Sequence, residues 1–196
     1  MEIFVMAIMF AFFCFIGVYI LKNGESKYRL DKTKAVEGFI KKHAMQISEW
    51  YSGKFCDLID DEENEMISFF VLEQKQLKYK QIPYDELFYV GLTYDNQIVD
   101  SYRRAGQMKK EMLGGDGFAS LNLGIPGNIR DFNVVKNMSL TIVVDDRHAA
   151  VIEALFLSHS FFTNINSIKD ADIHHWFHKL GTIIQAKENE LRKSES

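Results

Sequence analysis

The stretch that most constrains this chain is Ile3 to Leu21, a run of nineteen residues without a charged side chain. As a helix it would rise about 28 Å, close to the thickness of the hydrocarbon core of a bilayer. Phenylalanine or methionine falls on every face of such a helix, so no face is suited to water. We therefore predict a transmembrane helix over residues 1–22, a juxtamembrane linker or helix over 23–45, and a domain over 46–191.

Two alternatives to a spanning helix are a cleaved signal peptide and a buried helix of a soluble domain. A signal peptide has a basic start, a shorter apolar run and a small-residue cleavage site. Here Glu2 precedes the run, and Asn23, Gly24 and Glu25 follow it. A buried soluble helix of this length would still be expected to carry some polar positions. The sequence favours the spanning helix over both.

The charged residues that flank the apolar run predict its orientation. Basic residues follow the run, none precedes it, and basic flanks stay on the cytoplasmic side of a membrane. We expect a single-pass protein of the cell membrane, with its N-terminus outside and its domain in the cytoplasm. The same basic residues are the predicted contacts with the membrane surface. They are Lys22, Lys27, Arg29, Lys32 and Lys34.

Composition limits the class of domain and the class of partner. The chain is 47% apolar and 13% aromatic, which is enough to build a real core. Its net charge of −4 implies no broad surface for nucleic acid. Cys14 lies in the apolar run and Cys56 in the domain, so no disulfide is expected within the domain, as suits a reducing compartment.

After residue 46, short apolar runs separated by turn-forming residues predict antiparallel hairpins. In the clearest of them, Phe88, Val90, Leu92 and Tyr94 alternate with other residues, as in a half-buried strand. Residues 35–51 are ambiguous, and we favour a short helix or irregular entry followed by a strand. Residues 158–169 are expected to be irregular. The apolar runs are residues 55–59, 66–72, 78–82, 88–94, 98–102, 140–144 and 151–157.

The last part of the domain predicts an amphipathic helix from Ala171 to about Leu191, with Asp170 as its cap. Its apolar positions fall on one face. They are Ile173, Trp176, Phe177, Leu180, Ile183 and Ile184. Strands followed by one closing helix are typical of an α+β domain with a mainly antiparallel sheet.

Four stretches, residues 48–72, 79–101, 140–157 and 170–184, resemble a group of uncharacterised bacterial and prophage proteins with pleckstrin-homology-like (PH-like) domains. The resemblance covers about residues 48–185 and concerns layout and short phrases. It implies two bent sheets closed by a C-terminal helix, often beside a membrane segment. The group has no established activity, so the resemblance supports a fold and does not indicate a function.

Residues 104–133 form a long glycine-containing segment between predicted strands, and long loops of this kind are either functional or disordered. The segment has neither the Gly-Lys-Ser/Thr of a P-loop nor a dinucleotide fingerprint. It is less glycine-dense than in the proteins it resembles. Its basic and apolar side chains make it a candidate binding loop. The residues concerned are Lys109, Lys110, Phe118 and Leu121.

Three histidines and two acidic segments are the candidates for chemistry. His174 and His178 are four positions apart and could face one metal, but two histidines make an incomplete zinc shell and Trp176 stands where HExxH needs glutamate. We predict no metal and no cofactor. Residues 60–65 are interpreted as a charged hairpin tip, and Asp145 with Asp146 as a turn.

These observations predict a membrane-tethered cytoplasmic module that binds or scaffolds and is not catalytic. Its partners would be the membrane and an unidentified protein. One alternative is a subunit of a membrane protein complex. Another is a membrane-bound hydrolase, which needs at least two catalytic groups within about 3–4 Å in a concave site. Its candidate residues are His159, His174 and His178 with Asp145 and Asp146.

Overall fold

The fold is described from a computed structural model, which describes residues 27–74, 76–105, 134–146, 150–164 and 171–194. The chain divides into two compact units, Met1–Met45 and Gln46–Ser196. Within the described ranges no helix is long and apolar enough to cross a bilayer. The predicted transmembrane helix over residues 1–22 lies outside these ranges.

In the first unit, residues 27–43 form helix α1. These residues lie within the segment 23–45 that was predicted as a juxtamembrane linker or helix. Lysine, arginine and leucine are good helix formers, and this preference does not depend on apolar periodicity. The helix ends at Ala44, which has a φ of 50°, and the Met45 N–H donates to the Ile40 carbonyl at 3.2 Å. This is the usual left-handed helix end.

Within its described residues, the second unit contains eight strands and one long helix. Between β4 and β5 the residues Tyr84–Glu86 form one 3-10 turn. The elements are β1 (Glu49–Ser52), β2 (Asp57–Asp61), β3 (Met66–Glu73), β4 (Gln76–Pro83), β5 (Leu87–Tyr94), β6 (Gln97–Arg103), β7 (Val134–Val144), β8 (Val151–Asn164) and α2 (Ala171–Ser194).

The strands form two antiparallel sheets. The first has the order β1-β2-β3-β4, and the second has the order β6-β5-β7-β8. In the second sheet β5 pairs with β6 on one side and with β7 on the other. The domain is therefore α+β, with two antiparallel sheets and a C-terminal helix, and this part of the predicted fold class is confirmed.

The turn between β5 and β6 consists of two residues with a left-handed backbone conformation, which ends the strand. Asp95 and Asn96 have φ values of 47° and 65°, a conformation that these two residue types tolerate and that two-residue hairpins need. The Asp95 Oδ1 also accepts the N–H groups of Lys136 and Asn137, each at 2.9 Å. The turn therefore also fixes the beginning of β7.

The ribbon of β7 and β8 is longer than the sequence indicated. Residues 158–169 were expected to be irregular, but β8 continues to Asn164, where that residue pairs with Val134. The pairing uses backbone groups, so it does not require the alternation of apolar side chains that identifies a strand in a sequence. Register shifts between Val135 and Asn137 and between Met138 and Ser139 interrupt the ribbon, as β-bulges do.

The core of the second unit lies between the two sheets and α2. Leu58, Ile67 and Ile82 contribute from the first sheet, and Val90 and Leu140 from the second. The buried face of α2 packs against β5, β6 and β7. It consists of Ile173, Trp176, Phe177, Leu180, Gly181 and Ile184, while Ile183 is half-buried. The predicted closing helix is thus present, and its apolar face is the one expected.

Gly181 allows α2 to approach β6 closely. A Cβ atom at this position would lie 2.2 Å from Cδ2 of Tyr102, and also too close to Cγ of that ring. These atoms lie at the base of the ring and not at the far end of a flexible side chain, so either the Tyr102 ring or the helix would have to shift. A side chain at Gly181 would therefore disturb the packing of α2 on β6.

We expect Gly181→Ala to lower the free energy of unfolding by about 1–2 kcal/mol. Overpacking costs about 1–3 kcal/mol, and the better helix propensity of alanine returns up to about 1. Chemical denaturation followed by tryptophan fluorescence measures the change. The matched control is Gly38→Ala in α1, where a Cβ meets nothing within 4 Å. Equal stabilities of Gly181→Ala and wild type would show that Tyr102 does not restrict this position.

Candidate functional site

A partly buried ionic cluster joins α2 to the first sheet, and we call it the Lys179 cluster. The Lys179 Nζ lies 2.6 Å from Asp60 Oδ2, 2.8 Å from Glu49 Oε2 and 3.2 Å from Glu62 Oε1. The Tyr84 hydroxyl donates a short hydrogen bond to Asp60 Oδ1. The cluster therefore consists of Glu49, Asp60, Glu62, Tyr84 and Lys179, and its central carboxylate, Asp60, is fully buried.

This arrangement corrects the interpretation of residues 60–65 as a charged hairpin tip. Asp60 and Asp61 are the last residues of β2 and are buried. Asp61 accepts the N–H of Asn64 at 3.1 Å on Oδ1 and the N–H of Gln46 at 3.1 Å on Oδ2. A carboxylate tolerates burial when it accepts such bonds or pairs with a cation. The exposed tip consists only of the residues that follow, from Glu62 to Glu65.

The pKa values of the cluster follow from burial and from charge. Burial, the hydrogen bond to Asp60 and the charge of that carboxylate all raise the pKa of Tyr84. Burial lowers the pKa of Lys179, but hydrogen bonds to Asp60 and Glu49 outweigh burial and raise it. Burial raises the pKa of Glu49, but bonding and charge from Lys179, with a smaller effect of His175, lower it overall.

These shifts decide what the cluster can do chemically. Tyr84 and Lys179 both keep their protons at neutral pH. A general base must be unprotonated at the working pH so that it can accept a proton, and a lysine nucleophile needs a lowered pKa. The cluster therefore fastens α2 to β1 and β2, and neither Tyr84 nor Lys179 is placed to act as a base or nucleophile at neutral pH.

The histidines of α2 form a second set of polar contacts. The Tyr94 hydroxyl and His174 Nε2 are 2.8 Å apart, and the Tyr102 hydroxyl and His178 Nδ1 are 3.1 Å apart. These two hydrogen bonds join α2 to β5 and β6. His175 is on another face of the helix and pairs with Glu49 at 2.5 Å.

Metal binding was the other chemistry considered for these histidines. The ring centroids of His174 and His178 are 6.4 Å apart, and a tyrosine hydroxyl contacts each ring. In the part of the chain that the structure describes, no group of three or more histidine, cysteine or acidic side chains is placed to hold a metal ion.

The hydrolase alternative required His174 or His178 to meet Asp145 and Asp146, and the strand register separates them. His174 contacts Tyr94 at one end of β5, whereas the Asp145 N–H donates to Glu86 just before the other end. The two ends of an eight-residue strand are about 23 Å apart. Asp146 instead pairs with Lys80 at 2.7 Å. The side chain of His159 is outside the described part of the structure.

The predicted contacts with a membrane are only partly within the described residues. Lys27, Arg29 and Lys34 are exposed on α1, and Lys32 is buried. Contact of these side chains with a membrane stays a prediction. Lys22 and the candidate binding loop lie outside the described residues, including Lys109, Lys110, Phe118 and Leu121.

Sequence reasoning missed Lys179, Glu49 and Tyr84 as members of one cluster. Glu49 and Lys179 are 130 positions apart, so no local pattern joins them. Asp60 gave no signal either, because it stands in an acidic stretch that is typical of a turn.

Comparison with protein-family models, with curated proteins and with solved structures found no significant match to this chain.

Proposed function

We propose that this chain is a membrane-tethered binding or scaffolding module without catalytic activity, whose PH-like domain lies in the cytoplasm. The observation that carries the proposal is the state of the Lys179 cluster. Its lysine and tyrosine are held protonated, and its carboxylates are used to hold α2 in place. The most prominent buried polar groups of the domain thus stabilise its fold.

The layout of the second unit supports a PH-like domain. The resemblance in the sequence implies two bent sheets and a closing C-terminal helix. The unit has two four-stranded antiparallel sheets, and α2 covers the core between them. A rigid β scaffold with a fixed helix suits recognition of a partner, because a preformed surface loses little entropy on binding.

The membrane tether rests on the uncharged run Ile3 to Leu21 and on the basic residues after it. A spanning helix would hold the domain beside the inner surface of the membrane, where exposed Lys27, Arg29 and Lys34 could meet anionic headgroups. The partners are accordingly the membrane and a protein. The net charge of −4 argues against nucleic acid.

Extraction of membranes at alkaline pH tests the tether, because it releases peripheral proteins and leaves spanning ones in the membrane. We expect the full chain to stay in the membrane fraction and a chain that starts at Glu25 to be released. A full-length control carries Phe12→Arg and Phe15→Arg, since each arginine near the centre of a spanning helix costs about 2.5–3.5 kcal/mol of insertion free energy. Release of the unaltered full chain would contradict the proposal.

A further inference from the structure

Arg104 follows directly after β6 and is a buried cation, with 5% of its surface exposed. Its backbone N–H donates to the Phe88 carbonyl at 2.9 Å. Its Nη1 donates to the Asp85 carbonyl at 2.6 Å. These two bonds fix both the backbone and the head group of Arg104 against the beginning of β5.

The hydrogen bonds of the Arg104 guanidinium leave most of its donors unused. An arginine side chain has five N–H donors. Among the residues that the structure describes, the Asp85 carbonyl is the only acceptor for this group, and no carboxylate lies within ion-pair distance. Glu188 is nearby, but its carboxylate pairs with Arg192 and accepts the Ala105 N–H at 3.4 Å. In the described part of the chain, no Arg104 nitrogen is among the buried side-chain atoms that lack a hydrogen-bond partner, so its remaining donors keep contact with solvent and are accessible to an anion.

The ring of Phe88 orients the guanidinium from a second direction. The Arg104 Cζ lies 5.7 Å from the ring centroid, which is within the range of a cation–π contact. The Arg103 Cζ lies at the same distance from the same ring, and the Arg103 side chain is exposed. The Phe88 ring therefore contacts both guanidinium groups and holds them at the end of β6.

We propose that Arg104 is the anchor of an oxyanion-binding site, with Arg103 as a second contact at its exposed side. The ligand class is a phosphate group. The planar fork of a fixed guanidinium matches two oxygens of such a group and binds them with parallel hydrogen bonds. The site lies at the end of β6 and does not depend on the Lys179 cluster or on the membrane tether.

The test uses the full-length chain in a neutral detergent, with ¹⁵N-labelled arginine. Inorganic phosphate replaces chloride at constant ionic strength, and the side-chain Nε–Hε signals are followed by NMR. We expect the Arg104 signal to shift saturably. We expect Arg104→Lys to weaken phosphate binding about tenfold or more, because lysine keeps the charge but loses the fork. The matched control is Arg192→Lys, which should leave the affinity unchanged.

A second arm distinguishes a soluble phosphate from a lipid headgroup. It adds vesicles of phosphatidylcholine with or without phosphatidate. Saturation by inorganic phosphate assigns the site to a free phosphate group, and an Arg104-dependent shift only with phosphatidate assigns it to a headgroup. If the Arg104 signal of the unaltered chain responds to neither, or if Arg192→Lys weakens binding as much as Arg104→Lys, the site does not exist. The first of these outcomes needs no variant to fold.

Discussion

Lys179→Met is expected to lower the free energy of unfolding by about 3 kcal/mol. The change removes the ammonium group that lies 2.6 Å from Asp60, a carboxylate with no exposed surface. Breaking a buried ion pair costs about 3–5 kcal/mol, because the remaining charge is uncompensated. We take the low end of this range because the Lys179 side chain is 18% exposed and Tyr84 still donates to Asp60.

The loss is measured by chemical denaturation of the full-length chain, with near-ultraviolet circular dichroism as the signal. The matched control is Lys187→Met on the same helix. Lys187 pairs with Glu65 and Glu190, whose side chains are 58% and 64% exposed, and such pairs contribute less than about 1 kcal/mol. Similar losses in the two variants would mean that the ion pair of buried Asp60 contributes no more to stability than the exposed ion pairs of Lys187.

Trp176→Ala is expected to cost about 3–5 kcal/mol, the range for removing a buried aromatic side chain from a core. Trp176 is 2% exposed and belongs to the cluster of core residues from both sheets. The Lys179 Nζ also lies over the Trp176 ring, 5.9 Å from the ring centroid. The substitution therefore leaves a cavity and removes a neighbour of the Lys179 cluster.

Chemical denaturation of the full-length chain measures this loss of stability. The control is His175→Ala, one residue earlier on the helix. The His175 side chain is 55% exposed, so loss of its pair with Glu49 is expected to change stability by less than about 1 kcal/mol. A Trp176→Ala variant as stable as His175→Ala would show that α2 does not close the core.

Much of the architecture could be predicted from local pattern. The apolar run Phe88 to Tyr94 and the turn residues Asp95 and Asn96 identified the β5–β6 hairpin, and spacing from Ile173 to Ile184 identified α2 and its buried face. The alternation in β5 indicated a half-buried strand, and this was wrong, because every residue of β5 is buried. These signals are local because burial of a strand or helix face imposes a fixed period on the sequence. Prediction was poorer for the second half of β8, whose pairing with β7 depends on backbone groups.

The candidate sites were harder to predict because their partners are distant in the sequence. Asp60 stood in an acidic run that is typical of a turn, and only the packing of α2 brings Lys179 to it. Gly181 accommodates the ring of Tyr102, a contact with a strand about 80 positions earlier that no local pattern predicts. Arg104 is the first residue of the glycine-containing segment 104–133, and its contacts with Phe88 and Asp85 could not be predicted from that position.

The central proposal is that the tethered module faces the cytoplasm, and the most direct test of it is the topology of the full chain. Alkaline phosphatase is active only outside the cytoplasm, and green fluorescent protein folds reliably only inside it. Each reporter is fused after Lys34 and, in a second pair, after Ser196. We predict fluorescence and no phosphatase activity at both positions, as the basic residues after the apolar run require. Active phosphatase at either position, with loss of fluorescence there, would contradict a cytoplasmic domain.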